Sequence, residues 1–138
     1  MHNSPRIAAL LAIAGGSAWI VDVAIIAVLD RSFGVADDAL FFAGLLAIVA
    51  ASGVAGVALA GDRRGPVKVA WIAGAIVAVV IATTALSSAV DAAFGAAYSG
   101  GNQALEEEMG VAAISVLFIG LGLVALRRPT AAPSPTSC

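Results

Sequence analysis

Residues 39–90 read ALFFAGLLAIVAASGVAGVALA-GDRRGP-VKVAWIAGAIVAVVIATTALSSAV. Two long apolar runs flank a short polar link. A membrane-spanning helix needs about 20 predominantly apolar residues, within a range of about 17–25. The runs Ala39–Ala60 and Val67–Val90 both meet that length. The link Gly61-Asp-Arg-Arg-Gly-Pro66 is only long enough to reverse the chain, so the two runs are expected as antiparallel neighbours. Gly61 suits a left-handed cap at the end of the first run, and Pro66 stands just ahead of the second.

The rest of the chain repeats the pattern. Ile7–Leu29 and Met109–Leu126 are two further apolar runs. Ser4-Pro5 reads as an N-cap followed by a proline at the first helical position. Pro129 stops the last run, and the tail 129–138 is polar, proline-containing and expected to be disordered. The fold class expected is all-α: a four-helix transmembrane bundle over residues 1–128, with helices near 7–29, 39–60, 67–90 and 109–126. The start of the first run, Arg6 followed by apolar sequence into Gly15-Gly16-Ser17-Ala18, has some likeness to a secretory signal. The apolar sequence continues about ten residues further, beyond the usual signal core of about 7–15. A retained helix is therefore expected.

Composition agrees. Of the 138 residues, 61% are hydrophobic and the mean hydropathy is +1.03. Soluble domains are typically about 45–50% apolar. With a net charge of only −2, nothing suggests a nucleic-acid partner, and none is expected. Cys138 is the only cysteine and His2 the only histidine, so no disulfide, prenylation box or histidine-based metal site is expected. No phosphate loop and no nucleophile paired with a base is present, and neither an enzymatic role nor a cofactor is expected. Six arginines against one lysine, with abundant alanine, point to a GC-rich bacterial genome.

Basic residues orient the bundle. Short cytoplasmic loops collect lysine and arginine. Arg6, Arg63, Arg64, Lys68, Arg127 and Arg128 fall on one side of four alternating helices, and Arg31 alone falls on the other. Both termini are thus expected in the cytoplasm, and the protein in the plasma membrane. The outer loops are acidic, with Asp30, Asp37 and Asp38 in one and Glu106, Glu107 and Glu108 in the other. Three glutamates at a helix start complement its dipole, each contributing about 0.3–1 kcal/mol. A weak Ca²⁺ or Mg²⁺ site there is the rival reading. Aromatics fall near the boundaries: Trp71 at the inner one, Phe33, Phe41, Phe42, Phe94 and Tyr98 at the outer one.

Small residues at i+4 spacing let spanning helices pack closely. The sequence offers Ala8, Ala12 and Gly16; Ser52, Gly56 and Ala60; and Ala70, Gly74, Ala78 and Ala82. These stripes are expected inside the bundle, with a homo-oligomer contact as an alternative. Ala18-Trp19-Ile20 recurs as Ala70-Trp71-Ile72, but at a different depth, so it marks no duplication.

One carboxylate lies within a span. Asp22 is about seven residues from the outer end of helix 1, roughly 10 Å deep. A charged aspartate at a helix centre costs about 2.5–3.5 kcal/mol on insertion scales. It should turn inward, find a partner or carry its proton. No basic residue lies within a span to pair with it. Thr84, Ser87, Ser88 and Asp91 share one face of helix 3, at i, i+3, i+4 and i+7. Thr83 or Thr84 is expected level with Asp22, and the Trp19 indole N–H is within one turn of it. Asp22, Trp19, Thr84, Ser87, Ser88 and Asp91 therefore form the candidate site, a polar pocket with Asp91 at its mouth. An ordinary packing role is the competing reading, since interhelical hydrogen bonds are worth only about 0.6 kcal/mol on average.

The arrangement is similar to that of the small multidrug-resistance transporters in two features, a set of four short helices and a membrane carboxylate in the first. That family has a glutamate there, and its other helix signatures are not found in this chain. Two functions are expected to compete. One is a structural or accessory membrane protein packed against itself, a membrane-protein partner or the lipid bilayer. The other is a small proton- or cation-linked transporter or channel that uses Asp22.

Overall fold

The computed structural model describes residues 4–29, 34–97 and 103–127. Four helices follow one another: α1 (Ser4–Leu29), α2 (Val35–Ala60), α3 (Gly65–Ala97) and α4 (Gln103–Arg127). Each contains a segment long and apolar enough to cross a membrane. Residues 30–33, 98–102 and 128–138, the expected disordered tail among them, lie outside the described residues.

The helices outrun the apolar runs at the acidic end. α2 begins four residues before Ala39, α4 begins six residues before Met109, and α3 continues seven residues past Val90. The extension of α3, Asp91-Ala-Ala-Phe-Gly-Ala-Ala97, is mostly alanine, which favours helix whether or not it lies in lipid. Hydropathy marks where the apolar sequence stops, and the helical hydrogen bonds simply continue beyond it. The glutamates 106–108 consequently sit in the first two turns of α4 rather than at its first residue.

The link between α2 and α3 is a tight reversal. Gly61 has φ +55° and ψ −131°, and Gly65 has φ +62°, a region side chains rarely allow. The Gly61 N–H donates to the Ala58 carbonyl at 3.3 Å, and the Arg63 N–H to the Ala60 carbonyl at 3.2 Å. Arg63 closes the helix end a second time. Its Nη1 donates to the Leu59 and Ala60 carbonyls, both at 3.2 Å. The guanidinium also lies 5.0 Å from the centroid of the Trp71 ring. A cation at a helix C-terminus is favourable, and a cation over an exposed ring adds about 0.5–1 kcal/mol. Arg63 thus caps the hairpin as well as contributing positive charge.

The helices form a ring. α1 packs on α2 and α4, α3 packs on the same two, and among the described residues neither diagonal pair comes into close contact. The packing is unequal, with α1 carrying the tightest contacts. Its buried residues are Ala9, Ala12, Gly15, Gly16, Trp19, Asp22, Val23 and Ile26, spaced by three or four along one broad face. Gly15 faces α2: a Cβ there would stand 2.9 Å from the Gly44 carbonyl oxygen and from the Ile48 side chain. Gly16 faces α4: a Cβ there would stand 2.7 Å from the Ser115 carbonyl oxygen. Two turns nearer the start of α1, a Cβ on Gly122 of α4 would meet the Ala9 carbonyl in the same way, at 2.8 Å.

Small-residue stripes behave differently from helix to helix. On α2 the expected Ser52, Gly56 and Ala60 are all buried, and the stripe continues back through Ile48 to Gly44. On α1, Ala12 and Gly16 are buried and Ala8 is half-buried. The stripe on α3 is a correction: Ala70, Gly74, Ala78 and Ala82 are all exposed, and a Cβ on Gly74 would meet nothing within 4 Å. α3 turns another face inward, placing Ile72 and Ala75 against Gly56 of α2. Small residues surround α3 on most sides, so spacing alone does not select which face packs.

Hydroxyls inside the bundle are mostly satisfied by their own helix. Ser52 Oγ donates to the Ile48 carbonyl at 2.8 Å, Thr83 Oγ1 to the Val79 carbonyl at 2.8 Å and Ser115 Oγ to the Val111 carbonyl at 2.6 Å. The apolar centre is a cluster of Trp19, Ile48 and Ile114, with Leu45, Val79, Val111 and Phe118 packed on it.

These contacts rank the glycines. Gly16→Ala should destabilise the bundle by about 1–3 kcal/mol, because an added methyl meets backbone that cannot move aside. Gly74→Ala should be neutral or stabilising by up to about 1 kcal/mol, because alanine favours helix and its methyl points into open space. Reversible unfolding of the two variants in detergent micelles measures both.

Candidate functional site

The candidate residues divide between two places. Trp19 and Asp22 lie on the buried face of α1, which packs only on α2 and α4. Ser87 and Asp91 lie on the face of α3 that meets α4. Because α1 and α3 stand diagonally across the ring, the level hydroxyls of α3 do not come together with Asp22 in one pocket. Thr84 and Ser88 are exposed on the outside of α3, and Thr83 is half-buried with its hydroxyl on its own helix. Equal depth along two helices is a statement about height in the membrane. Contact also needs adjacency, and helix order in the ring is set by packing.

Trp19 is 6% exposed, and its position is set by glycine. The indole lies against Gly44, so close that a Cβ on that residue would overlap its ring. There it donates Nε1–H to the Phe41 carbonyl at 2.8 Å. A carbonyl has two lone pairs, so the Phe41 oxygen accepts this bond alongside its helical one. The Phe41 ring stacks on Trp19 with centroids 5.8 Å apart, and Phe42 meets Phe41 edge-on at 5.8 Å. The indole N–H expected at Asp22 is therefore directed to α2 instead. Phe41 and Gly44 belong to this site and were not among the candidates. Gly44 stands one turn before Ile48 on the small-residue stripe of α2, a signal that the shorter stripe from Ser52 stopped short of.

Asp22 is 3% exposed, and its Oδ1 is fully enclosed. Its place follows from α1 alone: it is three residues past Trp19 and six past Gly16, on the face that both neighbours cover. The Trp19–Ile48–Ile114 cluster lies one turn nearer the basic end. A side chain of this kind is placed inside the protein rather than in lipid, where it would be most costly.

Asp91 has a distinct structural task. Its Oδ1 accepts the backbone N–H of Gly110 at 2.6 Å, and its Oδ2 accepts the Ser87 hydroxyl at 3.3 Å. Gly110 lacks a side chain where α3 comes closest, and a Cβ there would press on Ser87 and Asp91. One carboxylate therefore joins the acidic ends of α3 and α4 through a charge-assisted hydrogen bond. Gly110 was not singled out in the sequence, although it opens the apolar run of α4 directly after Met109. The glutamates 106 and 107 have no described side chains, so the rival reading of a cation site there lies outside the described residues.

Asp91→Ala should loosen this end. A hydrogen bond to a charged group contributes about 1.5–3 kcal/mol. Amide hydrogen exchange at Gly110 and Val111 should accelerate by at least about tenfold, while exchange around Gly16 stays unchanged. Equal protection at Gly110 in the variant would remove the tie between α3 and α4.

Compared with known proteins, the chain finds no match among family models, curated proteins or solved structures.

Proposed function

We propose that the chain is an accessory multi-pass protein of a bacterial plasma membrane, with both termini on the cytoplasmic side. Its role is non-enzymatic, and it acts by laying α3 against another membrane helix, from a second copy or from a membrane-protein partner. The observation that carries this reading is the exposure of the stripe Ala70–Gly74–Ala78–Ala82. No residue in the most apolar window of α3 is buried within the bundle. In lipid, helices associate through close packing of small residues rather than through hydrophobicity. A stripe of four small residues at i+4 spacing, left outside its own bundle, has the form of such a contact. Beside it runs a groove of 520 Å³ bordered by Leu59, Trp71 and Ala75. The orientation is supported by the basic residues at one end of the bundle.

A second reading is favoured by the burial of Asp22. An acidic side chain inside a membrane bundle is a common element of proton and cation pathways. Against conduction in this conformation stands the apolar Trp19–Ile48–Ile114 cluster, one turn away along the bundle. The accessory reading therefore takes Asp22 as a packing residue.

Gly74 separates association from folding, because nothing lies near it. Gly74→Leu should leave the unfolding of the bundle unchanged while lowering association in vesicles at least about tenfold. Energy transfer between labelled copies reads a second copy, and cross-linking in native membrane reads a partner. Association unaffected by Gly74→Leu would sink the proposal. Proton or cation flux into vesicles should be the same for the wild type and Asp22→Asn. A flux that the wild type supports and the variant loses would replace the accessory role with transport.

A further inference from the structure

The half of the bundle nearest the arginines is not filled. A cavity of 420 Å³ opens there between the helices. Its wall runs from Pro5 to Ala12 on α1, from Ala51 to Leu59 on α2 and from Phe118 to Ala125 on α4. Each stretch covers eight or nine residues, so the cavity is roughly 10–12 Å deep at 1.5 Å per residue. Val79 and Phe118 form its deep end, where both pack on the Trp19–Ile48–Ile114 cluster.

The chemistry of the wall selects the occupant. Ser52 is the one polar side chain lining the cavity, and its hydroxyl is bonded to the Ile48 carbonyl. A buried water needs two to four polar partners, and a cavity without them stays dry. The volume falls within the range of about 300–1,000 Å³ typical of ligand sites. In a bilayer the apolar group at hand is a hydrocarbon chain.

The mouth selects the head group. Pro5 at the rim is followed directly by Arg6, and Ala125 is followed two residues later by Arg127; both arginines are exposed. Arg63 is held at the third wall by the Leu59 and Ala60 carbonyls. Among the described residues this end carries Arg6, Arg63, Arg64, Lys68 and Arg127 against Asp62 alone. Guanidinium groups match phosphate oxygens in a bidentate fork.

We infer that this cavity holds one acyl chain of an anionic phospholipid from the surrounding bilayer, with its phosphate gripped at the rim by Arg6 and Arg127. The site rests on the membrane-spanning fold and is independent of any association through α3. Binding fills the apolar void between α1, α2 and α4, and it anchors the arginine-bearing ends of α1 and α4 to a single lipid.

Trp19 reports the occupant, because it sits beyond the deep end. Trp71→Phe leaves Trp19 as the single tryptophan. This protein is placed in phosphatidylcholine vesicles, and lipid brominated on its chains is titrated in as phosphatidylglycerol or as phosphatidylcholine. Half-quenching of Trp19 should come at a mole fraction of phosphatidylglycerol at least about fivefold lower, the factor that one basic residue near an anionic surface supplies. Arg6→Gln with Arg127→Gln should erase that preference. Ala55→Phe, which fills the cavity, should abolish the preferential quenching. Equal quenching by the two lipids in the Trp71→Phe protein overturns the inference, because Trp19 would then be sensing bulk lipid. Preferential quenching that persists in Ala55→Phe overturns it as well, by moving the chain elsewhere. The comparison of head groups uses an unfilled bundle and does not depend on how the filled variant folds.

Discussion

Two adjacent glycines in α1 hold the bundle together. Gly15 and Gly16 stand about 100° apart around the helix, so one faces α2 and the other α4. Each lets backbone meet backbone: Gly15 reaches the Gly44 carbonyl and Gly16 the Ser115 carbonyl. Lipid tails are as apolar as the side chains, so burial contributes little to helix association here, and close contact has to supply it. α1 consequently becomes the wedge between α2 and α4, which do not come into close contact with each other. Trp19 depends on the same approach, since the indole fits only because Gly44 has no side chain.

α3 is held in a different way. It meets α2 near the basic end, where Gly56 lies 2.8 Å from the Ile72 Cα for a Cβ added to it, and it meets α4 at the acidic end through Asp91 and Gly110. Between those two attachments it presents alanine and valine to the outside. Two consequences follow from an outer helix that buries none of its most apolar window. The arginine-bearing half of the ring keeps an apolar void, and among the described residues a stripe of small residues on α3 is left exposed. The proposed lipid site and the proposed helix contact thus share one origin in the loose fit of α3.

The two membrane aspartates have different settings. Asp91 stands where α3 and α4 meet and accepts a backbone N–H, so it acts as a tie between helices. Asp22 is enclosed by the most tightly packed helix of the four, on the far side of the apolar cluster from the cavity. Among the described residues, the apolar cluster of Trp19, Ile48 and Ile114 stands between Asp22 and the cavity.

The number of helices, their approximate extents and the reversal at Gly61–Pro66 were legible in the chain, because they depend on local properties: the length of apolar runs, the turn residues and the places where basic residues collect. The same held for the buried stripe Ser52–Gly56–Ala60. The site was only partly legible. Asp22 and Trp19 were readable as buried because an aspartate is too costly in lipid and an indole brings a polar tip. Their neighbours were not, because depth along a helix says nothing about which helices are adjacent. Adjacency arose from the fit of Gly15, Gly16, Gly44 and Gly110 to particular carbonyls and side chains. In a chain so rich in small residues, many faces have the spacing to pack, and only the meeting of whole surfaces chose among them. That choice put Thr84 and the Gly74 stripe outside, sent the Trp19 N–H to Phe41, and set Asp22 and Asp91 in separate parts of the ring.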